Sequence, residues 1–201
     1  DQDFVVALGD CVIIGDSRPS LLERMIRLHR EQRASATVAV QQVTPEQTRR
    51  YGMVELGEQE RGVFAVQGLV EKPGPDKTPS LWAVAARYVF SPAIFEFLRA
   101  ARPGYGGEIQ LTDALHALVR AGLPVYAVPL GEKEFRLDVG NKESYARAFV
   151  RSVLTDSEVG EGLRRYAGDL LAYLAGHCNQ DPDRPARRAA DTGRDSGARD
   201  Q

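Results

Sequence analysis

Along the chain, short continuous apolar runs alternate with stretches of helical spacing, and that alternation predicts an α/β protein. Phe4 to Leu8 is unbroken apolar sequence, predicted as a strand of a parallel sheet buried on both faces and ending at Gly9-Asp10. After a loop with Gly15 and Pro19, Ser20 is placed to cap a helix carrying Leu21, Leu22, Met25, Ile26 and Leu28. Ala36 to Val40 reads as strand again. A strand, a helix and a strand in that order imply a parallel crossover unit.

Further on, Gly52 to Leu56 and Val63 to Val70 read as strands around the turn-prone stretch Gly57 to Gly62. Glu71-Lys72-Pro73-Gly74-Pro75 interrupts regular structure, since proline lacks the amide a ladder needs. Leu81 to Phe90 is a predicted strand. Ser91-Pro92 opens a predicted helix, with serine at the cap and proline at the first helical position, running to Ala101. Thr112 to Ala121 is a predicted helix ended by Gly122, and Val125 to Leu130 and Phe135 to Asp138 are predicted strands. Helices are predicted over Lys142 to Leu154 and Glu158 to Leu174. Gly176 to Gln201 holds no Val, Ile, Leu or aromatic residue and is expected to be a disordered polar tail, leaving 1–175 as one domain.

Composition narrows the function. The 201 residues carry 26 Lys+Arg against 28 Asp+Glu, a near balance that argues against a nucleic-acid binder relying on phosphate neutralisation. No apolar run approaches the roughly 20 residues of a membrane-spanning helix. Two cysteines, Cys11 and Cys178, make no disulfide framework, which suits a reducing, cytoplasmic setting. The acidic start Asp1-Gln2-Asp3, without Met, is unlike a signal peptide and reads as part of something longer.

Several groups can carry chemistry. Asp10 follows the first predicted strand and Asp138 ends another, where ligands bind in open α/β sheets. Two such carboxylates suit Mg²⁺, a hard cation that takes oxygen ligands and keeps waters and phosphate oxygens; Asp138 alone also suits a turn or a helix cap. In Glu71-Lys72-Pro73 the glutamate can accept from sugar hydroxyls and the lysine can face a phosphate, although a bare EKP is usually a solvated turn. Tyr51-Gly52 is a bend or a bare backbone against a ligand ring. Gly106 to Asp113 is a ligand loop or simply a helix start capped by Thr112. His29 and His116 lack metal-like spacing. His177-Cys178 falls in the expected tail, and Cys11 is either a nucleophile at the crevice or a small buried residue. GxGxxG, GxxxxGK[ST] and GxSxG are absent, so no glycine-rich loop is present to hold a nucleoside triphosphate.

Together these segments resemble the bacterial UDP-glucose pyrophosphorylases, within the sugar-phosphate nucleotidyltransferases. The matching stretches are VVALGD ending at Asp10, YGMV at Tyr51 to Val54, GLVEKP at Gly68 to Pro73 and ARYVFSPAIFEFL at Ala86 to Leu98. GGEIQLTDAL at Gly106 to Leu115 and FRLDVGNKESYARAFV at Phe135 to Val150 complete the series. The resemblance implies a Rossmann-like mixed, mostly parallel sheet flanked by helices, of the nucleotide-diphospho-sugar transferase type. It implies transfer of a uridylyl group from UTP to glucose 1-phosphate, giving UDP-glucose and pyrophosphate, with Mg²⁺ as cofactor. Asp10 would then hold the metal, with Asp138 as a second or outer-sphere ligand. Glu71 would bind glucose hydroxyls, Lys72 the sugar phosphate, and Gly52 would lie against the sugar.

The family's N-terminal GxGTR loop and downstream PK are missing. The chain is therefore expected to be the sugar-phosphate and metal half of an N-terminally truncated enzyme, inactive alone, aggregation-prone at an exposed sheet edge, and homo-oligomeric, if at all, only when full-length. Ser80-Leu81 stands where the family often has Ser-Asn, and Ala86 where a glycine often precedes Arg-Tyr; both are expected near the sugar. The alternatives are an enzyme using dTTP or another nucleotide, and a non-catalytic sugar-phosphate-binding or regulatory protein.

Overall fold

The computed structural model describes residues 2–15, 17–60 and 63–177. All of the expected tail except Gly176 and His177 lies outside them. The strands are β1 (Phe4–Ala7), β2 (Cys11–Ile14), β3 (Ala36–Gln42), β4 (Gly52–Glu60), β5 (Val63–Glu71), β6 (Trp82–Phe90), β7 (Val125–Pro129) and β8 (Phe135–Asp138). The helices are α1 (Leu21–Glu31), α2 (Ile94–Ala100), α3 (Leu111–Arg120), α4 (Lys142–Thr155) and α5 (Gly160–His177). Short 3₁₀ turns cover Pro45–Arg49 and Tyr105–Gly107. The chain divides into two compact units, Asp1–Ala148 and Phe149–Gln201.

In the first unit a six-stranded sheet runs in the order β1-β6-β3-β7-β5-β4. It is mixed, as expected, but not mostly parallel: β3–β7 is the parallel pairing and the others are antiparallel. The reason is topological. β6 enters between β1 and β3 and runs against both, so the expected crossover does join strands of the same direction, but without direct hydrogen bonds between them. β1 is correspondingly an edge strand, not a strand buried on both faces, and its Val5 is 42% exposed.

Side-chain alternation covers both faces of the sheet. Val38 and Val40 of β3 join Val84, Tyr88 and Phe90 of β6 under α2 and α3, which contribute Ile94, Leu115 and Leu118. Ala39, Ala85 and Val89 face the other way, against Leu21 and Met25 of α1. Fully burying a side chain such as Met25 contributes about 2 kcal/mol. Ser20 caps α1, as expected, and does so in a reciprocal capping box with Glu23. The helix expected to begin at Ser91-Pro92 instead begins at Ile94, after three successive i→i+3 hydrogen bonds that start at Ser91. Ser91 therefore makes no cap.

Beyond the main sheet, β2 and β8 form an antiparallel ribbon in which Cys11 faces Asp138 and Ile13 faces Arg136. The run expected as loop after Asp10 is thus partly strand. Glu134, at the turn into β8, is 4% exposed at its side chain and takes two bonds from the Arg24 guanidinium of α1, at 2.9 and 2.7 Å. Arg24 also donates to the Pro19 and Pro129 carbonyls, so it fastens the ribbon to the body of the domain. These bonds hold the Glu134 carboxyl below the usual carboxylate range despite its burial.

In the second unit, Asp156 accepts from the Glu158 and Val159 amides at 2.8 and 3.0 Å, opening the turn that leads into α5. These backbone bonds also lower the Asp156 pKa. No helix among the described residues is long and apolar enough to cross a membrane.

Candidate functional site

One corner of the site forms where β5 ends opposite the start of β4. Gly52 and Glu71 are cross-strand partners, and the Lys72 amide donates to the Tyr51 carbonyl at 3.2 Å. Thr112, on the first turn of α3, does not cap that helix; its hydroxyl donates to Glu71 Oε2 at 2.6 Å. A Cβ on Gly52 would stand 2.8 Å from that hydroxyl and 3.0 Å from the same carboxylate oxygen, so glycine leaves the space a Glu71–Thr112 pair needs. Lys72 Nζ lies 3.4 Å from Glu71 Oε1 and 5.1 Å above the centre of the Tyr105 ring. Tyr105 immediately precedes the Gly106 to Asp113 stretch, from which Gln110 donates back to the Tyr105 carbonyl. Lys72 adopts φ 45°, a left-handed backbone that a lysine pays for in steric strain.

The other corner comes from the ribbon. The Val139 amide donates to the Asp10 carbonyl at 2.8 Å, extending the β2–β8 ladder by a step and bringing Asp10 and Asp138 to the same end. A Cβ on Gly140 would sit 3.4 Å from Asp138 Oδ1 and 3.5 Å from Asp10 Oδ2. The two carboxylates therefore border one small space. Asp138 Oδ1 accepts from the Gly140 amide at 2.9 Å and from the Ser144 hydroxyl at 3.3 Å, so it also shapes the turn. Helix α4 is preceded by Asn141, whose side chain accepts from the Ser144 amide; Asp138 is not its cap. Asp138 Oδ2 faces Arg50 Nη2 at 3.3 Å.

Among the described residues no group of three or more His, Cys, Asp and Glu could hold a metal by itself. A pair of hard oxygen donors around a glycine-sized gap nonetheless fits Mg²⁺, which needs one or two protein carboxylates and completes its shell with water and phosphate.

Tyr51 joins the corners. Arg136 Cζ lies 4.3 Å from its ring centre and Arg50 Cζ lies 5.7 Å away. Arg136 Nε also reaches Cys11 Sγ at 3.3 Å, and Cys11 is buried, matching its reading as a small interior residue. Beneath them, burial pushes the Tyr88 hydroxyl pKa up, helped by the negative charge of Glu71 and, more weakly, of Asp10 and opposed by Arg136. One buried phenol thus senses carboxylates from both corners. A path of contacts runs from Lys72 through Tyr51 and Arg50 to Asp138.

Sequence reasoning brought Asp10, Gly52, Glu71, Lys72 and Asp138 into view but missed Arg50, Tyr105, Arg136 and the role of Thr112. Arg136 had a signal, because residues two apart on a strand share a face and Asp138 was already a candidate. Of the two departures, Leu81 is 42% exposed, and Ala86 is buried at φ 56° in an irregular stretch of β6 opposite Val38 to Val40, its carbonyl accepting from the Leu8 amide. His29 and His116 have structural partners. His29 Nδ1 lies 3.1 Å from the Thr37 hydroxyl, and His116 Nδ1 accepts from the Leu69 amide at 3.2 Å.

A family profile described as nucleotidyl transferase matches residues 1–153. The UTP–glucose-1-phosphate uridylyltransferase of Pseudomonas aeruginosa strain PAO1 is 40% identical over 149 residues, covering 74% of this chain and 52% of the relative. That of Bacillus subtilis is 36% identical over 171 residues, covering 85% and 56%. Among solved structures, a UDP-glucose pyrophosphorylase complexed with UDP-glucose superposes with TM-score 0.67 at 33% identity, covering 74% of this chain and 56% of that one. A UTP-bound enzyme of the same name from Acinetobacter baumannii gives TM-score 0.70 at 30% identity, covering 84% and 56%. The chain spans about half the length of the curated relatives it matches.

Proposed function

The chain belongs to the nucleotidyl transferase family, and from that premise we propose that it serves the transfer of a uridylyl group from UTP to glucose 1-phosphate. In that reaction a phosphate oxygen of glucose 1-phosphate bonds to the α-phosphorus of UTP. The bond from that phosphorus to the bridging oxygen breaks, and pyrophosphate leaves with the electron pair. The observation that supports this most is the pairing of a fixed acceptor and a cation, Glu71 with Lys72, beside two carboxylates at the neighbouring ribbon end.

In this reading Glu71 accepts from glucose hydroxyls, its carboxylate orientation set by Thr112. Lys72 neutralises the sugar phosphate as a point charge, and Gly52 gives the hexose a bare approach. Asp10 and Asp138 would hold Mg²⁺, which supplies charge neutralisation and alignment for an in-line displacement. Such a reaction asks little covalent chemistry of the protein, which agrees with a site built of acceptors and cations rather than of a nucleophile and base. A cytoplasmic setting goes with the free thiol of Cys11.

The test measures UDP-glucose formation, and glucose 1-phosphate binding by calorimetry, with Mg²⁺ present. Turnover or binding is expected in the native protein. Asp10→Ala is expected to reduce the cation-dependent part by about 100-fold, on the scale of removing a charge from a reacting phosphate. Full function in Asp10→Ala would remove Asp10 from the site, and a native protein that neither binds glucose 1-phosphate nor forms UDP-glucose would overturn the reading.

A further inference from the structure

We propose that Arg50 is a positioning residue that rests on Asp138 until a divalent cation takes that carboxylate, and then turns to the sugar phosphate. The inference rests on the reading above and adds to it a residue and an order of events. Two arginines lie against Tyr51, and they are held differently. Arg136 is close to the ring at 4.3 Å and is anchored by Cys11 Sγ. Arg50 lies farther out at 5.7 Å, and its ion pair among the described residues is with Asp138 Oδ2, at 3.3 Å.

That pair is accessible: the Arg50 side chain is 55% exposed and that of Asp138 30%. Exposed ion pairs are weak and exchange readily, which a buried pair would not. The partner of Arg50 is also the carboxylate on which a cation would depend, so Arg50 and a cation compete for one group. A guanidinium released there lies next to any phosphate that shares the cation, and its planar fork suits phosphate oxygens.

Its place in the chain supports the second half of the proposal. Arg50 immediately precedes Tyr51, whose carbonyl holds the Lys72 amide. Its backbone thus belongs to the hexose corner while its side chain reaches the carboxylate corner. Arg50 is the group through which occupation of one corner is felt at the other, and such coupling is reciprocal.

The experiment titrates native protein, Arg50→Gln and Arg50→Lys with Mn²⁺ followed by electron paramagnetic resonance, and with glucose 1-phosphate by calorimetry with and without Mn²⁺. Arg50→Gln is expected to bind Mn²⁺ about fivefold more tightly, because an exposed competitor has been removed. The same variant is expected to lose about fivefold of the strengthening that Mn²⁺ gives to glucose 1-phosphate, with Arg50→Lys intermediate in both. Mn²⁺ affinity that is unchanged or weaker in Arg50→Gln, or undiminished strengthening, overturns this inference and leaves the function above standing. Native protein that binds glucose 1-phosphate but no Mn²⁺ overturns both this inference and the metal role of Asp10 and Asp138.

Discussion

Glu71 and Asp10 both stand at strand ends, yet the fold treats them differently. Glu71 is 12% exposed at its side chain and already accepts a 2.6 Å bond from Thr112. Asp10 is exposed and its carboxylate accepts no hydrogen bond among the described residues. The difference matches the roles proposed above. A sugar hydroxyl demands an acceptor at a fixed place and angle, which the clamped glutamate offers. A cation needs lone pairs that are not already spent, which the open aspartate offers at the end of a fixed ribbon.

The largest effect expected from this contrast is at the far end of the ribbon. Arg24→Ala strands a 4%-exposed Glu134 and is expected to cost about 3 kcal/mol in a denaturant melt. It should also weaken Mn²⁺ binding more than glucose 1-phosphate binding, because the ribbon carries only the carboxylate corner. Equal losses at both corners would erase the distinction. The pH dependence has a definite sign. Hydrogen bonds from Arg24 lower the folded pKa of Glu134, so the stability they bring is present above about pH 4.5 and is lost as pH falls through the lower folded value. In Arg24→Ala this acid-side loss is expected to shrink.

A smaller effect sharpens the other side of the comparison. Thr112→Val keeps the shape but removes the donor to Glu71, and is expected to weaken glucose 1-phosphate binding about tenfold while leaving Mn²⁺ affinity unchanged. Calorimetry with each ligand separates the outcomes. The smallest effect should touch neither corner. Ala86→Gly relieves a left-handed alanine at φ 56°, against some gain in unfolded-chain entropy, and is expected to stabilise by about 0.5 kcal/mol with both affinities intact.

How much of this could be read from the chain depends on the range of the interaction. Helix α1 was legible because its capping box and its buried Leu21 and Met25 are local in sequence. The run over β6 was legible from its length. The edge place of β1 was not, because that depends on β6, which returns some eighty residues later to pair between it and β3. Strand β2 was missed because four apolar residues beside a glycine look like loop until β8 is laid against them. The candidate carboxylates could be named from their places at strand ends. Their neighbours could not, since the Arg50–Asp138, Arg136–Cys11 and Thr112–Glu71 contacts join residues 88, 125 and 41 positions apart.

The backbone at Lys72 has one more consequence. At φ 45° the position favours glycine or asparagine on conformational grounds, so a chain tuned for ruggedness alone would not carry a long side chain there. Replacing the lysine by glycine should therefore yield a hardier molecule that has gone blind to its ligand, and the gap between those two results would measure what the ammonium group is for.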